Sequence, residues 1–148
     1  MARTSDAALK ILYIEDNPSE ARLFSEMART LNLSWRITNV EDGEAGLSLL
    51  QSGEERPDVI VLDLNLPGMD GLELLRHVKA DRDLRDIRVI VFADPKSPSC
   101  AEAYRLSALW CVPKPMTLEG YEELLREISQ RCSGTESPNR QSSAGAAS

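Results

Sequence analysis

Short runs of apolar residues alternate along this chain with amphipathic patterns of helical period. Three uninterrupted apolar runs occupy residues 11–14, 59–62 and 89–92. Such runs are typical of strands that are buried on both faces of a parallel sheet. Trp35 and Ile37 instead alternate with polar neighbours, which predicts an edge strand, and residues 109–112, ended by Pro113, predict a fifth strand.

Helical patterns fill the segments between these strands. The first and last helices place apolar residues at i, i+3, i+4 and i+7, at Phe24, Met27, Ala28 and Leu31 and again at Tyr121, Leu124, Leu125 and Ile128. Helix starts are indicated by Asn17-Pro18, by Ser97-Pro98 and by Thr117. Five strands, each followed by a helix, predict an α/β fold, a doubly wound parallel sheet with helices on both faces.

The chain divides into one predicted domain, residues 8–131, and a tail, residues 132–148. The tail contains no Val, Ile, Leu, Phe, Tyr or Trp and is rich in Ser, Gly and Ala. Because it cannot bury enough apolar surface to offset its ordering entropy, we expect it to be disordered.

Composition and charge narrow the class of partner. Apolar residues make up 42% of the chain and charged residues 28%, and the net charge is -7. An acidic balance argues against a nucleic acid partner and favours a cation or a basic protein surface.

No apolar stretch approaches the roughly 18 residues of a membrane span, and no signal peptide is visible, so we expect a cytoplasmic protein without a membrane partner. Cys100, Cys111 and Cys132 are unevenly spaced with no CxxC pair, so a disulfide framework is not expected and a reducing cytosol is the predicted compartment.

The candidate chemistry lies where the apolar runs end, because ligands of such sheets bind at the carboxyl ends of the strands. Glu15 and Asp16 follow the first run, and Asp63 ends the third. Three converging carboxylates repel one another unless a cation offsets their charge, and an oxygen-only ligand set selects a hard ion, Mg2+ or Mn2+. Lys114, after the fifth run, reaches the same edge and could pair with a carboxylate or a phosphoryl oxygen.

These motifs, in this order, resemble the receiver domain of two-component response regulators. The matching features are the acidic pair Glu15-Asp16, the segment DLNLPGMDG that begins at Asp63, and Lys114-Pro115. The resemblance covers residues 9–128 and implies a flavodoxin-like fold with strand order 2-1-3-4-5 in a bacterial signalling protein.

The resemblance also implies roles for individual residues. Asp63 corresponds to the aspartate that accepts a phosphoryl group. Glu15, Asp16, Asp63 and the backbone carbonyl of Asn65 correspond to the Mg2+ ligands. Lys114 corresponds to the lysine that contacts the acyl phosphate, and a cis Lys114-Pro115 bond is implied as well.

Two positions depart from the family pattern. Ala93 stands where family members usually carry Thr or Ser, and Cys111 stands where many carry an aromatic residue that moves with that hydroxyl. Asp94, the next residue after Ala93, is a candidate modifier, either repelling the phosphoryl group or adding a metal ligand. We therefore hypothesise that Asp63 is phosphorylated and that the response uses another rearrangement, in residues 94–99.

The predicted function is that of a single-domain response regulator, which is not an enzyme. A sensor histidine kinase or phosphotransfer protein would donate the phosphoryl group, and a downstream protein would read it, directly or through a phosphorelay. Trp110, Tyr104 and Tyr121 have two interpretations, either positions in or near the core or a surface for a homodimer or another protein partner on the fourth helix, fifth strand and fifth helix. The alternative is a degenerate receiver that binds partners without phosphorylation. A haloacid-dehalogenase-type phosphohydrolase is disfavoured because it needs an acidic residue at the position of Asn65.

Overall fold

The computed structural model describes residues 8–54, 56–64 and 70–132, in which five strands and five helices alternate. The strands are β1 (Leu9–Ile14), β2 (Trp35–Val40), β3 (Val59–Asp63), β4 (Arg88–Phe92) and β5 (Trp110–Val112). The helices are α1 (Pro18–Thr30), α2 (Gly43–Ser52), α3 (Gly71–Ala80), α4 (Pro98–Arg105) and α5 (Leu118–Cys132).

All neighbouring strands are parallel, and their order in the sheet is β2-β1-β3-β4-β5. The predicted α/β class, strand order and edge position of β2 are thereby confirmed. The order reverses between β1 and β3, whose register aligns Ile14 with Leu62. The residues that follow these two strands therefore lie side by side at the switch point of the sheet.

Alternate residues of each strand pack into two separate cores. One core joins the sheet to α2, α3 and α4 and includes Leu12, Leu62 and Leu75. The other joins it to α1 and α5 and includes Tyr13 and Phe24. Both faces are covered, which explains why the central strands read as continuous apolar runs rather than alternating ones.

Local capping agrees with the predicted helix starts. The Asn17 side chain accepts hydrogen bonds from the backbone N–H groups of Ser19 and Glu20, at 2.9 and 3.3 Å. The Ser97 hydroxyl accepts from the Cys100 N–H at 3.1 Å. These caps fix where α1 and α4 leave the carboxyl edge of the sheet.

The C-terminal boundary differs slightly from the prediction. Cys132, assigned to the tail, is the last residue of α5 and is fully buried. Its small apolar side chain continues the buried stripe of the helix, which a rule based on larger apolar residues overlooks. Residues 133–148 lie outside the described residues. Within the described part of the chain, no helix is long and apolar enough to cross a membrane.

Candidate functional site

Two buried carboxylates meet at the carboxyl edge of the sheet. Glu15 follows β1 and Asp63 ends β3, and their exposed fractions are 2% and 7%. They are the only buried acidic residues in the described part of the chain. Because an ionised carboxylate is costly to bury unless it is paired, this pair requires a cation.

Lys114 supplies that cation from the segment after β5. Its Nζ lies 2.8 Å from Glu15 Oε1 and 2.9 Å from Asp63 Oδ2. The ammonium lies 6.0 Å from the ring centroid of Phe92, the last residue of β4, over which the side chain passes. One ammonium thus bridges the ends of β1 and β3, and the structure brings together Glu15, Asp63 and Lys114 as the sequence predicts.

Further donors hold the Glu15 carboxylate in place. The Asn17 N–H donates to Oε2 at 3.1 Å, and the Tyr13 hydroxyl donates to Oε1 at 3.3 Å. Burial raises the pKa of the Glu15 carboxyl, although its hydrogen bonds to Lys114 and Asn17 act in the opposite direction. Burial, followed by the nearby charge of Glu15, also raises the pKa of Tyr13, so its hydroxyl remains a donor.

A third carboxylate that the sequence analysis did not assign to the site also contacts the ammonium. Glu20 Oε1 lies 3.1 Å from Lys114 Nζ and accepts a hydrogen bond from the Tyr121 hydroxyl at 3.3 Å. Burial and the neighbouring Glu20 raise the pKa of Tyr121 to about 12. Since α1 begins close after β1, its first turn lies at the same edge, which is the signal that could have identified Glu20.

These three carboxylates determine the charge of Lys114. Burial alone would lower the pKa of the ammonium, but its hydrogen bonds to the three carboxylates raise it above the usual lysine range. The site therefore retains one fixed positive charge at all physiological pH values.

The remaining predicted metal ligands do not converge in the same way. Asp16 is exposed, and within the described residues its side chain makes no hydrogen bond or ion pair. Asn65 lies outside the described residues. No group of three acidic, His or Cys side chains among residues 8–54, 56–64 and 70–132 is already arranged to hold a metal ion.

The donor set nevertheless fits a hard divalent cation. Glu15 Oε1 and Asp63 Oδ2 already converge on one cation, the Lys114 ammonium, and Asp16 adds a carboxylate beside them in sequence. Oxygen ligands of this kind suit Mg2+ and Mn2+.

The N-terminus of helix α3 packs closely against the end of β3. A Cβ atom at Gly71 would lie 2.9 Å from the Cα of Leu64 and 3.2 Å from the Asp63 carbonyl oxygen. These distances leave no room for a side chain, so α3 is in direct backbone contact with the strand that carries Asp63.

Ala93 and Asp94 begin the loop between β4 and α4. The Ala93 N–H donates to the Val112 carbonyl at 3.0 Å, which ties this loop to β5. Asp94 is exposed, and its carboxylate accepts from the Lys96 N–H at 3.0 Å. Its carbonyl accepts from the Ser97 hydroxyl at 2.7 Å. Asp94 thus forms a local turn, and its suggested influence on a phosphoryl group or metal remains a prediction.

Cys111 differs from its expected state. It is buried in the core as a small side chain, but it also forms a disulfide with Cys100 of α4, with a Cα–Cα distance of 6.0 Å, which the cysteine spacing does not predict. The pairing could not be read from spacing, because α4 and the turn after it bring together two residues that are 11 positions apart.

The implied cis peptide bond is also corrected, and the structure decides between the two interpretations of Tyr121. The described residues contain no cis peptide bond, so Lys114-Pro115 is trans, the isomer that X-Pro bonds favour by about 0.5–1 kcal/mol when packing does not select cis. Tyr121 does not belong to an exposed aromatic surface, because it is 4% exposed and points its hydroxyl at Glu20. Tyr104 is 49% exposed, and Trp110 is stacked by Arg131 at 4.2 Å.

Known proteins resemble this chain in both sequence and fold. The family model of the response regulator receiver domain matches residues 11–128. The chemotaxis protein CheY of Pseudomonas aeruginosa is 33% identical over 127 residues, covering 85% of this chain and 100% of that protein. The phosphorylated cyanobacterial phytochrome response regulator RcpA superimposes with a TM-score of 0.79 at 28% identity, covering 88% of this chain and 98% of RcpA. The Mn2+-bound form of response regulator Rcp1 superimposes with a TM-score of 0.76 at 28% identity, over 87% of this chain and 97% of Rcp1.

Proposed function

Because the chain belongs to the response regulator receiver domain family, whose members are signalling modules, we propose that it accepts a phosphoryl group on Asp63. The donor is a phosphohistidine of a sensor histidine kinase or phosphotransfer protein. The single observation that carries the proposal is the arrangement of the Asp63 carboxylate, buried at the end of β3 and hydrogen-bonded at 2.9 Å to an ammonium shared with Glu15.

The transfer needs a carboxylate nucleophile and compensation of negative charge. An Asp63 oxygen forms the new bond to phosphorus while the bond between phosphorus and the donor imidazole nitrogen breaks, and the electron pair leaves with the imidazole. Phosphoryl transfers depend mainly on positioning and on electrostatic stabilisation of the transferred oxygens. Lys114, already in contact with the Asp63 carboxylate, is the residue of this chain that supplies a positive charge at that place.

Mg2+ is the proposed cofactor, held by Glu15, Asp16 and Asp63 with the backbone carbonyl of Asn65. When bound, it neutralises charge on the phosphoryl oxygens. The chain's own contribution is to hold Glu15 with the Tyr13 hydroxyl and the Asn17 N–H, so that one ligand is oriented in advance.

Lys114 must change partners when a divalent cation or a phosphoryl group enters. Its ammonium now lies between Glu15 and Asp63, and Glu20 is the third carboxylate within reach. We assign Glu20 and Tyr121 the role of a second anchor that keeps the ammonium at the site edge during this exchange.

The proposed output is contact with a downstream protein, or onward transfer of the phosphoryl group in a phosphorelay. The net charge of -7 supports a protein partner rather than a nucleic acid, and the family membership supports a cytoplasmic location. The surface of α4, β5 and α5, with the half-exposed Tyr104, is the proposed place for a homodimer or another protein partner.

A second candidate function is a degenerate receiver, which binds its partner without phosphorylation. Ala93 favours it, because a methyl group replaces the usual hydroxyl at the end of β4. The disulfide at Cys111 also favours it, since it ties β5 to α4 where a mobile aromatic side chain is expected.

Intact mass spectrometry after incubation with acetyl phosphate or phosphoramidate and Mg2+ tests the proposal. We expect one phosphoryl adduct in the unmodified protein and none in Asp63→Asn. The matched control is Asp42→Asn, because Asp42 also follows a strand at this edge but caps α2 through Ala45, and an Asn can keep that cap.

The outcomes separate the two candidate functions. An adduct that persists in Asp63→Asn would contradict the assignment of the acceptor. If folded protein takes up no phosphoryl group from either small donor or from a phosphorylated phosphotransfer protein, the degenerate receiver is the correct description.

A further inference from the structure

A covalent bond joins helix α4 to strand β5. Cys100 lies in the first turn of α4, Cys111 is the middle residue of β5, and the two side chains form a disulfide. We propose that this pair is a reversible thiol–disulfide site whose redox state controls how firmly α4 is held on the sheet. The site uses neither Asp63 nor its neighbours, so the inference goes beyond the proposed function.

Helix α4 has few buried residues besides the disulfide to attach it to the sheet. It has eight residues, of which only Cys100 and Ala103 are buried, whereas α5 buries five residues. A helix of this length is not stable by itself in water, so its attachment to the sheet decides whether it persists. One of its two buried anchors is therefore a sulfur atom of the disulfide.

Few other contacts attach α4 to β5. The Tyr104 hydroxyl accepts a hydrogen bond from the Cys111 N–H at 3.0 Å, and Tyr104 itself is 49% exposed. The Ser97 cap acts within α4 and its preceding turn and does not reach the strand. Reduction would thus leave this hydrogen bond, the packing of Ala103 and the two thiols, and the partly exposed Arg76–Glu102 ion pair to α3 at 3.8 Å to hold the helix.

The bond is also close to the phosphoryl-acceptor site in sequence and in the sheet. Cys111 pairs in register with Val91 of β4, and Lys114 follows three positions later. The loop that begins at Ala93 is hydrogen-bonded to Val112, the next residue of β5. A change in how α4 is attached to β5 therefore affects the strand that precedes Lys114.

The chemistry is an ordinary thiol–disulfide exchange. A thiolate of a dithiol reductant, such as a thioredoxin-class protein, attacks one sulfur of the disulfide, and the other leaves as a thiolate. The second thiol of the reductant resolves the mixed disulfide. The protein gains two electrons and two protons as two thiols, and the reductant becomes a disulfide. In the reverse direction, hydrogen peroxide oxidises one thiol to a sulfenic acid, the second thiol displaces water, and the peroxide ends as two molecules of water.

The third cysteine provides an internal control. Cys132 is free, fully buried at the end of α5, and burial raises the pKa of its thiol. It is therefore a poor nucleophile that should take no part in the exchange. Cys100 and Cys111 are themselves 2% and 5% exposed, so exchange requires α4 to open locally.

The first experiment counts thiols. The full chain is equilibrated with oxidised or reduced glutathione, quenched in acid, denatured, and alkylated with a maleimide before intact mass and peptide mapping. We expect one label, on Cys132, in the oxidised sample and three in the reduced sample. Three labels in the oxidised sample would overturn the proposal, as would one label in the sample reduced under native conditions.

The second experiment measures the consequence for α4. Amide hydrogen exchange in α4 should become at least about tenfold faster after reduction, while exchange in α5 changes by less than about twofold. The Cys100→Ala/Cys111→Ala variant should behave as the reduced protein in both glutathione buffers. Equal exchange of α4 in the two redox states of the unmodified protein would contradict the proposal, whether or not the double variant folds.

No phosphoryl donor enters these measurements, so they are independent of the proposed function. Asp63→Asn should show the same labelling and the same change in exchange. The redox site can thus be present in a protein that never accepts phosphate, and the acceptor can work in a protein that lacks the redox site.

Discussion

The two halves of the carboxyl edge of the sheet differ in how completely they match a receiver. At the ends of β1, β3 and β5, Glu15, Asp63 and Lys114 are in direct contact, with distances of 2.8 and 2.9 Å. At the end of β4, Ala93 offers no hydroxyl, and in β5 Cys111 is engaged in a disulfide instead of presenting an aromatic ring. The groups proposed to accept a phosphoryl group are therefore present without the hydroxyl and the aromatic ring that usually accompany them in the family.

The difference also concerns what holds each half together. The first half consists of the ends of β1, β3 and β5. It is organised by ion pairs between residues that are far apart in the sequence, since Lys114 lies 99 positions after Glu15. The second half is organised by a covalent bond and by turns among close neighbours, such as Asp94 with Ser97. A change of ions or pH should act mainly on the first half, and a change of redox conditions should act mainly on the second.

The largest expected effect comes from removing the shared ammonium. Removing one partner of a buried ion pair costs about 3–5 kcal/mol, and because the Lys114 side chain is 27% exposed we expect Lys114→Met to lose about 2–4 kcal/mol of unfolding free energy at neutral pH. Urea unfolding without divalent cations measures the loss. Burial already raises the pKa of Glu15, and loss of the ammonium raises it further. The folded variant then binds a proton more tightly than the unfolded chain, so the lost stability returns as the pH falls.

The control for this variant is Lys96→Met, which removes an exposed ammonium near the same edge of the sheet. Its unfolding free energy should change by no more than about 0.5 kcal/mol. Equal losses in the two variants would show that Lys114 does not compensate the buried carboxylates.

The same variant should bind Mg2+ more tightly. Lys114 and a divalent cation compete for Glu15 and Asp63, and coupling of this kind typically changes affinity by about 5–150-fold. We expect isothermal titration calorimetry to show at least about fivefold tighter binding in Lys114→Met, in accord with the lower end of that range. Lys114→Arg keeps the charge and should show no such gain. Weaker binding in Lys114→Met would mean that the ammonium assists the metal rather than competing with it.

A smaller effect is expected in the other half of the edge. Tyr104→Phe removes the acceptor of the Cys111 N–H, and a hydrogen bond of this kind contributes about 0.5–1.5 kcal/mol. The amides of α4 should exchange faster in this variant, and the increase should be larger after reduction because fewer contacts then remain. Tyr121→Phe, which removes a hydroxyl in the first half, should leave α4 exchange unchanged. If both variants affected α4 equally, the two halves would not be mechanically separate.

The smallest effect is expected for Glu20→Gln. Glu20 and Lys114 are 33% and 27% exposed, and partly exposed ion pairs contribute about 0.2–1 kcal/mol. Thermal and urea unfolding beside Glu26→Gln, an exposed residue of the same helix, should resolve a difference within that range. A loss above about 2 kcal/mol would assign Glu20 a central role equal to that of the buried carboxylates.

Much of the fold could be predicted because the sequence features that determine it involve residues close together in the chain. Apolar runs identified the strands, and Asn17 and Ser97 marked the helix starts through hydrogen bonds to residues two or three positions away. The convergence of Glu15, Asp63 and Lys114 could be predicted for a related reason, since residues that end parallel strands must meet at one edge.

The features that escaped prediction depend on contacts without a local pattern. Tyr121 reaches Glu20 across 101 positions, and nothing in either segment indicates the pairing. Cys100 and Cys111 meet only because the turn after α4 returns the chain to the sheet and places β5 beside the helix. Cys132 extends α5 by one residue because a thiol can fill a buried position that the pattern of larger side chains does not mark.

The close contact at Gly71 limits which amino-acid substitutions this domain can accept during evolution. The first residue of α3 has no side chain, and the neighbouring backbone at Asp63 and Leu64 occupies the space that a methyl group would need. Any replacement must displace either α3 or the end of β3. Substitution should therefore be poorly tolerated at Gly71, although this residue contributes no functional group to the site, because only a hydrogen atom fits there.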